Sequence, residues 1–255
     1  MIVGAYQFAV SGVAEENLSK IKTAVAQAAS KGVRLLAVPE CALTGYPPRD
    51  FSTAAEVDFA ELAVAHEEIQ TLVDQWNIHL ILGTMTRDER GIRNTALILR
   101  PGMQPLYYHK RALWGWDRDN FIPGDEPGIL EIDGLRVGVR ICFEVRFPEY
   151  FRELYRQQTE LNVILFYDVT DRDDAERYDL LRGHIRTRAV ENVCHTLTVN
   201  TIHPFQSAPT MLADRSGRVL FEAERGKESL LLFDFQPGPL NFGEQGRASV
   251  SDMVI

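Results

Sequence analysis

Val33-Arg34-Leu35-Leu36-Ala37-Val38, an apolar run ending in Pro39-Glu40, has the pattern of a β-strand covered on both faces. Upstream, residues 14–31 place Leu18, Ile21, Val25 and Ala28 at helical spacing, with Gly32 as the C-terminal stop. Residues 2–10 before them read as a strand, so the chain opens β–α–β. The alternation continues with a helix over 56–76, whose apolar face carries Leu62, Ile69, Leu72 and Val73, and a buried strand over 78–85. Residues 95–99 are expected to pair with 106–109 across Pro101-Gly102. Asp133-Gly134, between apolar runs 129–132 and 135–142, is a strong hairpin signal. Helices over 148–158 and 175–192 flank a buried strand over 163–167. The last third turns β-rich, with strands over 194–201, 210–213, 219–223 and 229–235 and a turn at Gly217. Helices between buried strands, together with hairpins, predict an α/β layered sandwich with mixed sheets rather than a purely parallel one. The segment after Phe235, rich in Gly and Pro, has no clear period; it is expected to wrap a partner subunit or stay mobile.

Composition narrows the function. The 255 residues are 45% hydrophobic and 25% charged, close to the soluble globular average, which argues against a disordered, collagen-like or membrane-spanning chain. A formal charge of −9 disfavours nucleic acid and anionic lipid as partners. Unbroken apolar stretches fall far short of the ~20 residues of a spanning helix. The N-terminus lacks a basic region with a small-residue cleavage site. Cys41, Cys142 and Cys194 are too few and scattered for a disulfide framework, so the expectation is a cytoplasmic protein with reduced thiols. No repeat or linker divides the chain, and residues 1–255 are read as a single domain. Neither a phosphate-binding glycine loop nor a G-x-S-x-G elbow is present. The histidines form no i, i+4 pair and none adjoins a C-x-x-C, so neither a metal nor an organic cofactor is expected.

Three polar residues end buried-looking strands. Glu40 follows the run quoted above, and its apolar approach favours a raised pKa suited to a proton acceptor. Lys110 ends Leu106-Tyr107-Tyr108-His109 and enters a loop holding Trp114, Trp116, Asp117 and Asp119, where a cation can stabilise an oxyanion. Cys142 closes the second strand of the predicted hairpin just before a helix, in a strand-to-helix turn whose backbone N–H groups can hold an anion. Taken singly, each has an ordinary structural reading: a solvated loop start, a solubilising lysine, a packed thiol.

Together they resemble the carbon–nitrogen hydrolase (nitrilase) superfamily. VPECALTGYPP, from Val38 to Pro48, is similar to the motif carrying its glutamate. Tyr108-His109-Lys110 is similar to its Y-x-K, and CFEVRFPE, from Cys142 to Glu149, fills its cysteine motif. Arg188-Ala189-Val190-Glu191-Asn192 resembles a further family helix, and the matches follow the family's order over most of the chain. The resemblance implies a four-layer αββα sandwich with mixed β-sheets and a Glu40–Lys110–Cys142 triad. It implies a homodimer, to which the helix after Cys142 and the tail, about 236–255, are assigned. The expected reaction is hydrolysis of a small linear amide or carbamoyl compound through a cysteine thioester.

In the supporting roles, Phe143 offers a backbone N–H to the oxyanion, and Glu144 bonds the loop or lines the pocket. Tyr46, Trp114 and Tyr167 are candidate aromatic walls. Where many members carry a second glutamate, this chain offers only Asp117, at the commoner spacing, or Asp119. Arg146 and Glu149 are expected to form an ion pair, and Cys41 and Cys194 to be packing residues. The run from Gly45 to Asp50 resembles the glutaminase domain of glutamine-dependent NAD synthetases, which keeps glutamine-type substrates open. Competing readings are a nitrilase, a catalytically silent scaffold and a redox-sensing thiol protein.

Overall fold

The computed structural model describes residues 1–254. The chain runs through β1 (Ile2–Gln7), α1 (Ala14–Ser30), β2 (Val33–Ala37), α2 (Phe59–Trp76), β3 (His79–Asp88), β4 (Gly91–Leu99) and β5 (Leu106–His109). It continues with α3 (Trp116–Asn120), β6 (Ile129–Ile132), β7 (Leu135–Ile141), α4 (Pro148–Arg156), β8 (Leu161–Phe166), β9 (Val169–Thr170) and α5 (Ala175–Glu191). The final elements are β10 (His195–Asn200), β11 (Phe205–Gln206), β12 (Met211–Ala213), β13 (Val219–Glu222), β14 (Ser229–Asp234) and α6 (Phe242–Val254).

Among the described residues the strands form two six-stranded sheets, ordered β14-β1-β2-β3-β4-β5 and β13-β12-β10-β8-β7-β6, plus the small pair β11-β9. Each large sheet has three parallel central strands, β1-β2-β3 in one and β7-β8-β10 in the other, flanked by antiparallel neighbours. Strand alternation explains the layering. Leu35 and Ala37 point into a core shared with Val137, Val139, Val163 and Leu165 of the second sheet. Leu36 and Val38 point the other way, onto Ile21, Val25, Ile69 and Val73 of α1 and α2. Ile164 and Phe166 of the second sheet pack on Phe151 and Leu154 of α4 and on Leu181 and Ile185 of α5. The result is the αββα sandwich that the motifs implied.

The Asp133-Gly134 hairpin forms with both residues at positive φ, 51° and 80°, the conformation that favours this pair of residues. Elsewhere the boundaries move. The helix expected over 56–76 begins at Phe59, because Asp58 accepts hydrogen bonds from the N–H groups of Ala60 and Glu61 and caps it; Ala54–Glu56 is a separate 3-10 turn. β3 and β4 are longer than read, joined by a tight turn at Glu89-Arg90 that Asp88 ties through the N–H groups of Arg90 and Gly91. The segment after Phe235 contains a helix, α6. Asn241 and Glu244 cap it reciprocally, and Tyr155 and Arg152 of α4 bond to its Ala248, Ser251 and Asp252.

Candidate active site

Lys110, Cys142 and Tyr167 each follow directly on a strand, β5, β7 and β8, and Glu40 comes three residues after the end of β2, all at the carboxyl edges where α/β sheets hold ligands. Glu40 belongs to one sheet and Tyr167 to the other. They are stitched together by the Glu40 N–H donating to the Phe166 carbonyl (3.2 Å) and the Tyr167 N–H donating to Glu40 Oε2 (2.7 Å). Gly83 on β3 makes room for this crossing. A Cβ there would stand 1.8 Å from the Pro39 carbonyl oxygen and 2.7 Å from the Glu40 Cα.

The Glu40 side chain is fully enclosed, yet both its oxygens are satisfied. Oε1 accepts from Lys110 Nζ (2.8 Å) and from Asn94 Nδ2 (2.7 Å). Lys110 Nζ also lies 2.8 Å from Asp117 Oδ2, and Asp117 Oδ1 accepts from the Tyr46 hydroxyl at 2.7 Å. One ammonium thus bridges two buried carboxylates. Burial lifts the Glu40 carboxyl above the ordinary carboxylate range, although the neighbouring Lys110 opposes the rise. Burial alone would lower the Lys110 pKa, but Glu40 and Asp117 overcome that and hold it well up, so Lys110 stays charged.

Cys142 opens a 3-10 turn, Cys142–Arg146, with its backbone in the left-handed region at φ 44°. Burial first, and the Glu40 carboxylate next, push its thiol well above the usual cysteine value. The sulfur is therefore a protonated thiol at neutral pH and needs a base before it can attack. The turn is fixed by Glu144, which is buried and accepts from the N–H of Ile141 (2.7 Å), the N–H of Arg111 (2.7 Å) and the Tyr108 hydroxyl (2.8 Å). These bonds tie the residue before Cys142 to the residues on either side of His109-Lys110.

Cys142 and Lys110 share a pocket of about 320 Å³ with Tyr46, Trp114, Phe143 and Tyr167. That volume is at the small end for ligand sites and suits a compact substrate. Tyr46 and Tyr167 stack at 5.0 Å between ring centroids, and the Tyr167 hydroxyl donates to Asp50 Oδ2 at 2.8 Å. Trp114 stands at the mouth, largely exposed.

Of the residues singled out from sequence, the structure brings Glu40, Lys110, Cys142, Asp117, Phe143, Tyr46, Trp114 and Tyr167 together. Asp119 is not among them: two residues past the inward-facing Asp117 on α3, it is exposed to solvent. Glu144 supports the turn and does not line the pocket. The expected Arg146–Glu149 ion pair is absent among the described residues. Arg146 lies over the Phe143 ring instead, and Arg188 steadies the turn by donating to the Val145 carbonyl at 2.8 Å. Cys41 and Cys194 are buried free thiols. Sequence reading missed Asn94, which lies one residue before the strand read over 95–99 and carried no signal of its own. It also missed Asp168, held by Arg177 through two bonds (2.8 and 2.7 Å) and by the Ser207 hydroxyl. Among the described residues, no group of His, Cys, Asp and Glu has an arrangement that could hold a metal ion.

The family pattern described as carbon-nitrogen hydrolase matches residues 2–240. The chain belongs to the carbon–nitrogen hydrolase family. It is a hydrolase acting on C–N bonds other than peptide bonds. An (R)-stereoselective amidase of a Pseudomonas species is 30% identical over 222 residues, 82% of this chain and 75% of that protein. The 2-oxoglutaramate amidase of Bacillus subtilis (strain 168) is 26% identical over 235 residues, 89% of this chain and 86% of its own. The amidase of Nesterenkonia sp. AN1, from the nitrilase superfamily, superposes with a TM-score of 0.82 at 22% identity, covering 100% of this chain and 97% of that one.

Proposed function

We propose that this carbon–nitrogen hydrolase cleaves a small linear amide or carbamoyl compound through a thioester on Cys142, releasing ammonia or an amine. The observation that carries the reading is the Lys110 ammonium, locked between Glu40 and Asp117 on the wall that Cys142 shares. Glu40 takes the thiol proton as Sγ attacks the carbonyl carbon. The oxyanion is held by the Lys110 ammonium and by the N–H of Phe143, in the first turn of a helix where N–H groups have no intrahelical acceptor. As the tetrahedral intermediate collapses, the C–N bond breaks, the proton on Glu40 passes to the nitrogen and the amine departs. Water then gives a proton to Glu40 and adds to the thioester. Collapse of the second intermediate releases the acid, and Cys142 recovers its proton from Glu40.

The raised pKa values of both partners suit this exchange, since a thiol that holds its proton is matched to a carboxyl that accepts one readily. Support also comes from the Nesterenkonia amidase, one structure of which shows the acetamide moiety of fluoroacetamide added covalently at its active site cysteine, and another a complex with butyramide. The test is ammonia release from a panel of small amides, carbamoyl compounds, glutamine and nitriles, with wild type and Cys142→Ala side by side. Cysteine-dependent ammonia from amides is the expected result. Turnover of nitriles alone, or of nothing, overturns the reading.

The chain is further read as one cytoplasmic domain working as a homodimer. What supports the dimer is α6, which turns Phe242 (92% exposed), Val250, Met253 and Val254 outward at helical spacing. Sedimentation of wild type against Phe242→Glu tests it: the dimer is expected to weaken, and a monomeric wild type removes the proposal.

A further inference from the structure

Asn94 touches both Glu40 and Lys110, yet its own bonding is incomplete. It lies inside β4, opposite Met85 of β3 and 1% exposed, and its backbone carbonyl accepts the Lys110 N–H at 2.9 Å. Its side-chain Nδ2 donates to Glu40 Oε1, while among the described residues its Oδ1 has no partner. The amide cannot be turned over, because Oδ1 would then face the Glu40 carboxylate. A buried carbonyl without a partner weighs against folding. The strand does not ask for it either, since β4 pairs through main-chain bonds and an apolar residue of the same shape would serve it as well. The reason for an amide at this position therefore lies at Glu40, where counting acceptor positions locates it. An ionised carboxylate offers about four, two on each oxygen. Oε1 has both taken, by Lys110 Nζ (2.8 Å) and Asn94 Nδ2 (2.7 Å), whereas Oε2 has one taken, by the Tyr167 N–H (2.7 Å).

We infer that Asn94 is a positioning residue: by closing Oε1 it leaves Oε2 as the oxygen on which Glu40 carries the proton of the reaction. The inference rests on the amidase reading and adds the atom through which that chemistry runs. At attack the S–H bond breaks as Oε2–H forms, and the electron pair left on sulfur makes the C–S bond. At collapse Oε2–H gives that proton to nitrogen as the C–N bond breaks, and Oε2 is ready for water. Without the amide both oxygens have an open position, and the ionised carboxylate loses a donor that steadies it. Asn94 thus works in the same direction as Lys110, against the rise that burial imposes on Glu40. Lys110, Asp117, Cys41, Tyr46 and Cys142 are the titratable groups around Glu40, and all stay in place when only residue 94 is changed.

The experiment follows kcat and KM for ammonia release against pH in wild type, Asn94→Leu and Asn94→Asp, both close to asparagine in shape. A readout that needs no turnover runs beside it, the rate at which iodoacetamide alkylates Cys142, located by peptide mass. In Asn94→Leu the acid limb of kcat/KM and of alkylation should rise by about 1 to 2 pH units, with kcat at the plateau about 10-fold lower and KM little changed. In Asn94→Asp a second carboxylate replaces the donor, and the limb should rise further. If Asn94→Leu does not fold, Asn94→Asp decides alone. Variants that keep the wild-type acid limb, whatever their thermal midpoint, make Asn94 structural and overturn the inference, as do a loss confined to KM and a failure of both variants to fold. An alkylation limb that shifts while no amide yields Cys142-dependent ammonia is instead the failure of the amidase reading and leaves the coupling of Asn94 to Glu40 standing.

Discussion

Two buried glutamates flank the strand end that carries Lys110, and they are held in opposite ways. Glu40 is matched to a cation and an amide side chain, in a cluster where Lys110 and Asp117 share the charge. Glu144 is matched to two backbone N–H groups and a tyrosine hydroxyl, donors that cannot move or lose a proton near neutral pH. The same side chain at the same depth therefore does two jobs. At Glu40 a proton can come and go because burial has raised the carboxyl. At Glu144 the two carboxyl oxygens pin two chain segments, the turn before Cys142 and the strand end around Lys110.

The difference can be broken or sharpened by substitution. The largest expected effect lies just beyond both carboxylates. Cys142→Ala should reduce kcat for ammonia release by about 10⁴-fold or more with little change in thermal midpoint, as loss of a nucleophile does. Glu40→Gln keeps the shape and the neutral hydrogen bonds but removes the proton acceptor, and about a 10²- to 10⁴-fold loss in kcat is expected. Its pH behaviour is more telling. Glu40 must be ionised to act, so the acid limb of the wild-type kcat/KM profile should lie above the ordinary carboxylate range; finding it within that range removes the role. Stability runs the other way. A carboxyl raised in the folded state stabilises below its unfolded pKa, and that contribution is lost as pH rises through the folded value. Wild type should therefore lose stability relative to Glu40→Gln as pH rises from about 4 through the raised folded value, as read from the two thermal midpoints.

Glu144→Ala should act on the fold first, at a cost of about 3 kcal/mol for stranding buried donors, seen as a drop in thermal midpoint accompanying any loss of activity. Were it to abolish turnover with no thermal change, the division of labour between the two glutamates would be wrong. The smallest effect is expected of Tyr108→Phe, which removes one of the three bonds to Glu144 and should cost about 1 kcal/mol, measured by denaturant midpoint.

What could be read beforehand follows from how local the signal is. The strand over Val33–Ala37 and the Asp133-Gly134 turn were legible because burial on both faces and positive φ leave their mark on adjacent residues. Glu40, Lys110 and Cys142 were legible as strand-end polar residues only once their motifs stood together. The tight β3–β4 turn escaped because Thr86-Arg87-Asp88 and Gly91-Ile92-Arg93 pair through backbone bonds with little apolar pattern. α6 escaped because its apolar residues face outward, so no buried stripe announces it. The choice of Asp117 over Asp119 was undecidable from spacing, because it rests on which side of the short helix α3 faces Lys110, a tertiary matter.

The left-handed backbone at Cys142 carries a consequence for evolution and engineering. A residue with a β-carbon spends about 1 kcal/mol to hold that conformation, and glycine does not. A stability screen run without an activity filter should drift toward glycine at position 142, gaining robustness as it discards the sulfur. The fold is thus mildly biased against its own nucleophile, and only selection for turnover keeps the thiol in place.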